Sequence, residues 1–351
     1  MELKDKKLNR KQIFNPDGEI ALSKRTMIDG STTNIHDYNN VKYPWTMEMF
    51  DVMMANHWIA EEINMSKDVK QYRELDEFEL KAYNRVLSFL IFLDSIQTVN
   101  LPNVMDYITA NEVNACLAVQ TFQEANHSQA YSYILDSVAQ PQERTDILYL
   151  WKDDEHLLKR NTFIGDIYND FMNNPTRHNL MRVIMGNYIL EGIYFYSGFS
   201  FFYALARMGK MPGTAQEIAY IQRDEQTHLV IFQNIVNELR RENPELFTPE
   251  LETEYKEMLL EGVRQEIAWG KYAIGNDVQG LNETMLENYI QYLGNIRAKA
   301  IGLGYLFEEN RTIPESMTWV DEYANVNGIK TDFFEGKVRA YAKGAVIEDD
   351  L

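Results

Sequence analysis

The sequence predicts an all-α protein, a helical bundle with additional outer helices and flexible terminal segments. Three observations point there. Pro is sparse, 9 in 351 residues, and long stretches lack both Gly and Pro. Aromatic residues are plentiful, with 21 Tyr and 17 Phe, as helix-to-helix contacts require. Two four-residue words, Glu124-Ala-Asn-His127 and Glu225-Gln-Thr-His228, sit in strongly helical surroundings. On a helix, residues three apart share a face, so each word aims a carboxylate and an imidazole at one point.

The elements follow in order. Residues 1–40 are polar, with turn signals at Pro16-Asp-Gly18 and Asp29-Gly30, and read as an extended or partly ordered N-terminal arm. A helix is expected from Pro44 through residues 45–63, with Pro at its first turn. A second, 75–99, has acidic first-turn residues and a nearly all-apolar C-terminal half interrupted by Asp94. A third, 109–138, carries Glu124, His127 and Tyr131. A fourth, 141–173, begins at Pro141 and is amphipathic. A fifth, 176–208, is apolar on most sides and belongs inside the bundle; Glu191 is its only acid. Met211-Pro-Gly213 ends it, and a sixth, 214–242, holds Asp224, Glu225 and His228. Two more, 248–273 and 281–308, read as outer cover. Residues 310–328 read as irregular. The simplest division is an arm (1–40), one helical domain (41–310) and an irregular to flexible C-terminal tail (311–351).

Composition limits function. A net charge of −19 argues against general affinity for nucleic acid or anionic membrane. Cys116 is the only cysteine, so no disulfide forms within the chain, which fits a reducing cytoplasm. The polar N-terminus lacks a signal-peptide core, and no apolar run of about 18 residues free of charge suggests a membrane span.

The chemistry lies in misplaced acids. An ionised carboxylate in an apolar helix face costs several kcal/mol unless it is neutralised, paired or bound to metal. Asp94 and Glu191 are both so placed. With Glu124 and Glu225 they make four carboxylates, which two divalent cations would balance, and His127 and His228 complete the set. Two inward Glu-x-x-His pairs and two further carboxylates are the donor pattern of ferritin-like di-metal bundles. Carboxylate and imidazole without thiolate suit iron or manganese rather than structural zinc. A near-decoy, Asp153-Asp-Glu-His156, has charged neighbours and reads as solvated surface, while His36, His57 and His178 lie in polar contexts. Tyr131, one turn after His127, is a core tyrosine or a redox tyrosine on this reading.

The chain resembles the small, radical-generating subunit of class I ribonucleotide reductase over roughly residues 45–345. The resemblance is carried by Leu93-Asp94-Ser95-Ile96-Gln97, by EANHSQAY at 124–131, LEGIYFYSGF at 190–199, RDEQTHL at 223–229 and KTDFFEGKVRAY at 330–341. It implies a dinuclear centre, Fe/Fe or Mn/Mn, on Asp94, Glu124, His127, Glu191, Glu225 and His228, with a radical on Tyr131 or an oxidising equivalent stored at the metals. It implies an apolar pocket for that radical at Phe195, Phe199 and Ile221, and radical transfer through Trp58, Asp224 and Tyr341. It further implies a homodimer, a large subunit that docks the acidic C-terminal tail, and a flavoprotein activator in some members. One cysteine cannot supply both a thiyl radical and a reducing dithiol, so on this reading the chain makes the oxidant and the large subunit reduces the ribonucleotide. Two rivals remain: a ferritin-like di-metal oxidase or ferroxidase without radical export, and a metal-free helical scaffold.

Overall fold

From Trp45 onward the chain is largely helical, and the computed structural model describes residues 6–324. Twelve α-helices follow in order within them: α1 (Trp45–Ala55), α2 (Asp68–Gln71), α3 (Glu77–Met105), α4 (Asn111–Val138), α5 (Pro141–Leu148), α6 (Glu155–Asn173), α7 (Arg177–Ile189), α8 (Tyr196–Arg207), α9 (Pro212–Glu242), α10 (Pro249–Ala273), α11 (Glu283–Ala300) and α12 (Trp319–Ala324). No strand forms among the described residues; Lys7–Thr176 and Ile28–Ile108 are isolated bridges that lay the N-terminal arm on the body.

Local chemistry explains the helix starts. Asp76 accepts from Glu79 N while the Glu79 carboxylate accepts from Asp76 N, a capping box that opens α3. Pro141, Pro212 and Pro249 sit in the first turns of α5, α9 and α10, where a missing N–H costs nothing. Two clamps hold α9, the first of them buried. Asp68 accepts from Gly213 N (2.9 Å) and Thr214 N (2.7 Å), placing a carboxylate at the positive end of the helix. At the far end Glu242 accepts from Met27 N (2.9 Å), Lys42 Nζ (2.6 Å) and Tyr43 Oη (2.7 Å), which ties the N-terminal arm to α9.

Helices α3, α4 and α9, with the run from α7 to α8, enclose the interior; α3 lies along α4, and α4, α7 and α8 all pack on α9. The stretch Arg177–Arg207 is long and apolar enough to cross a membrane by length and composition, yet 94 % of its most apolar window is buried inside the protein.

Seven expectations change. The first helix stops at Ala55, and the second runs on through Pro102 to Met105 because Asn100, Leu101 and Val104 keep a buried face beyond residue 99. The fourth breaks into α5 and α6: Asp154, inside the near-decoy, accepts from His156 N and Leu157 N and starts a new helix, while Asp153 and His156 stay exposed. The fifth is interrupted by a π-helical turn at Leu190–Tyr194. The eighth ends at Ala300, before the positive-φ residues Gly302 and Gly304, and the irregular stretch contains α12 with Trp319 and Val320 buried. Nor is α10 only cover. Its Glu266 pairs with the buried Arg160 and accepts from Ser197 N (2.8 Å), and the Arg160 guanidinium lies 4.0 Å from the Phe89 ring centre and 4.4 Å from that of Tyr194.

Glu217 on α9 has no such compensation. It is buried, and neither carboxylate oxygen is hydrogen-bonded among the described residues. Burial, with like charge from Glu61 and Asp68, pushes its pKa up to about 9. A carboxyl raised on folding contributes fully below its unfolded pKa and loses that contribution as pH climbs through the folded one. Glu217→Leu should therefore stabilise the protein near neutral pH by about 1–3 kcal/mol. In denaturant titrations the gain should shrink as pH falls towards about 4; a pH-independent gain would rule out charge burial as its cause.

Candidate metal centre

Six buried side chains from four segments meet at one point. Asp94 comes from α3, in a row with Leu90, Leu93, Gln97 and Leu101, all buried. Glu124 and His127 come from α4, Glu225 and His228 from α9, and Glu191 from the π-helical turn. That turn packs tightly: a Cβ at Gly192 would stand 2.8 Å from Leu229 Cδ1 on α9. Ligand atoms of Asp94, Glu124, His127 and Glu225 lie within 4.8 Å of one another, as do those of Glu124, Glu191, Glu225 and His228. The two sets share Glu124 and Glu225, the overlap that two cations bridged by carboxylates need.

Both imidazoles turn Nδ1 inward. His127 Nδ1 lies 2.9 Å from Glu225 Oε1 and 3.7 Å from both Asp94 Oδ2 and Glu124 Oε2. His228 Nδ1 lies 2.9 Å from Glu225 Oε2, 3.1 Å from Glu124 Oε1 and 3.8 Å from Glu191 Oε2. The electrostatics show what the pocket lacks. Burial, then Glu225 and Glu124, push the Asp94 carboxyl well above the usual range; burial, then Glu124 and Glu225, do the same to Glu191. Burial alone would lower both histidines, but the surrounding carboxylates outweigh it and raise them. Burial would raise Glu225, yet Glu191 and the two imidazoles beside it carry it below the usual range.

The donors fit cations better than they fit one another. Both oxygens of Asp94, Oε2 of Glu124 and Oε2 of Glu191 are buried without a hydrogen-bond partner among the described residues. Such atoms are uncommon in proteins, and these four face one centre. Two divalent ions would satisfy them.

Outside this group each imidazole is braced from the opposite helix. His127 Nε2 stands 3.3 Å from Asp224 Oδ2, and His228 Nε2 stands 3.0 Å from Gln123 Oε1. Asp224 precedes Glu225 as Gln123 precedes Glu124, so the residue before each word's Glu braces the other word's His. An acceptor there keeps the proton on Nε2 and leaves Nδ1 for metal. Sequence reasoning singled out Asp224 and missed Gln123; their matching positions in the two words were the available signal. Gln97 and Gln120, which bind Glu191, were also missed.

Tyr131 is fully buried, and its hydroxyl has no hydrogen-bond partner among the described residues. Burial, then the charges of Asp94, Glu225 and Glu124, raise its pKa well above the ordinary phenol value. Trp58 Nε1 donates to Asp224 Oδ2 (2.8 Å), and its ring stacks with those of His127 and Tyr220. Phe195, Phe199 and Ile221 are fully buried, and the two Phe rings stack with centroids 5.6 Å apart. Tyr341 and the acidic C-terminus lie outside the described residues. His36 and His57 are exposed, and His178 pairs with Glu254 at 2.8 Å. Cys116 is buried, and burial pushes its thiol up to about 12, which leaves it unreactive.

Comparison with known proteins agrees with this geometry. The sequence model of the family "Ribonucleotide reductase, small chain" matches residues 35–314. The ribonucleoside-diphosphate reductase subunit beta of Treponema pallidum is 56 % identical over 344 residues, covering 98 % of both chains. That of Halalkalibacterium halodurans is 39 % identical over 336 residues, covering 96 % of each. Among solved structures, the ribonucleotide reductase R2 subunit from Clostridium botulinum superposes with a TM-score of 0.88 at 50 % identity, covering 91 % of this chain and 99 % of that one.

Proposed function

The chain belongs to the ribonucleotide reductase small-chain family, and from that premise we propose that its six-donor pocket holds a dinuclear iron or manganese centre that oxidises Tyr131. As a ribonucleoside-diphosphate reductase small subunit, it works with a large subunit. The observation that supports the metal reading most strongly is the set of orphaned donor atoms converging on two overlapping positions.

Bound there, a pair of redox-active ions supplies the power to take one electron from a phenol. The residues do the rest. Asp94 and His127 would hold one ion and Glu191 and His228 the other, with Glu124 and Glu225 within reach of both. Phe195, Phe199 and Ile221 keep water and reductants from the oxidised ring. Trp58, tied through Asp224 to His127, carries the hole outward, and Tyr341 passes it to the large subunit, on which the acidic C-terminus docks.

Metal analysis tests the centre. Reconstituted protein should hold about two iron or manganese ions per chain, and Glu225→Ala, which removes a shared donor, at most about one. Less than about one ion in the unaltered protein would favour the metal-free scaffold. The homodimer is proposed on a groove of about 1040 Å³ between the arm, α1 and α4, lined by Phe50, Met53, Met54, Val119 and Phe122. Met54 and Phe122 are more than half exposed in the single chain, so a second copy is its proposed occupant. Light scattering should give twice the chain mass, falling to the chain mass in Phe122→Glu; a dimer unaffected by that change would place the interface elsewhere.

A further inference from the structure

The hydrogen bonds around Glu191 are one-sided. Its Oε1 accepts from Gln97 Nε2 and from Gln120 Nε2, the latter at 3.0 Å, while Oε2 has no hydrogen-bond partner among the described residues. Gln97 is held against turning its amide over, because the Tyr168 hydroxyl donates to Gln97 Oε1 at 2.8 Å and fixes the NH₂ towards Glu191. Gln120 Nε2 also reaches Glu124 Oε1 at 3.2 Å, so it sits astride two of the donors. Both glutamines are fully buried. Asp94, on the other side of the centre, has neither oxygen hydrogen-bonded among the described residues.

Amides are suited to this duty. An Arg or Lys would fix a carboxylate too, but would also neutralise the charge that a cation needs. A carboxamide orients one oxygen and leaves the anionic charge on the group. Turning Oε1 of Glu191 to metal would strip two buried N–H donors of their acceptor, which opposes that movement.

We propose that Gln97 and Gln120, with Tyr168 behind Gln97, are positioning residues that hold Glu191 as a metal ligand through Oε2 alone. The inference rests on the dinuclear reading above and adds the manner in which one donor binds. It makes the two sides of the centre unlike: Asp94 is free to offer two oxygens, Glu191 only one.

Crystal structures and Mn(II) titrations followed by electron paramagnetic resonance test it with the full-length chain. In the Mn(II)-loaded protein Glu191 should reach metal by Oε2, with Oε1 still on the two amides. In Q97L/Q120L both oxygens should turn to metal. Y168F loses one hydroxyl and is the variant least exposed to misfolding. It should bind its second Mn(II) about 10-fold more weakly, as loss of an outer partner does elsewhere. Two-oxygen binding by Glu191 in the unaltered protein would overturn the clamp, as would a Y168F titration that matches it. Failure of the unaltered protein to take up two ions would instead overturn the dinuclear reading.

Discussion

Tyr131→Phe protein, reconstituted with metal and oxidant, is expected to hold its full complement of ions and show no narrow organic-radical resonance. With the large subunit it should reduce ribonucleotides at least about 10³-fold more slowly, equivalent to about 4 kcal/mol of barrier. The change should be nearly silent for folding. The lost hydroxyl has no hydrogen-bond partner among the described residues, so its removal leaves no donor or acceptor stranded. Stability should shift by less than about 1 kcal/mol, which separates a redox role from a packing role. The alternative is equally legible: a coupled-metal signal in both proteins, with activity retained in the variant, would place the oxidising equivalent on the metals.

Removal of residues 336–351 is the second change with a total effect. The shortened chain should load metal and form its radical normally, yet neither bind the large subunit nor support nucleotide reduction. The segment contains Tyr341 and the closing acids Glu348, Asp349 and Asp350, so a companion variant divides the two roles. Tyr341→Phe in the full-length chain should bind the large subunit with unchanged affinity and reduce nucleotide at background rate. Undiminished reduction by the truncated protein would sink the roles given to Tyr341 and the acidic tail in radical export.

The legible parts of the sequence are those governed by a local rule. Helix existence followed from sparse Pro, long uninterrupted stretches and first-turn prolines at Pro141, Pro212 and Pro249. The gathering of Asp94, Glu124, His127, Glu191, Glu225 and His228 was legible because an acid in hydrocarbon is costly, and two Glu-x-x-His words repeat one geometry. What escaped depends on partners far away in the chain. The π-helical turn that carries Glu191 has no local punctuation; it is accommodated by the close approach of Gly192 to Leu229. Asp154 looked like one charge among several, but its oxygen caps a new helix. Gln97 and Gln120 are ordinary surface residue types, and only tertiary packing sets them against carboxylates. Arg160 and Glu266 meet across 106 positions, beyond any periodicity argument.

The two grips on α9 bear on how this protein should be handled. Glu225 and His228 stand on a rod splinted at one end by Asp68 and at the other by Met27, Lys42 and Tyr43 through Glu242. Trimming the leading forty-odd residues as dispensable would undo the second splint and let the rod fray towards its metal-facing middle. A shortfall in iron or manganese after such trimming would then report a loosened support, although every donor side chain was still in the chain.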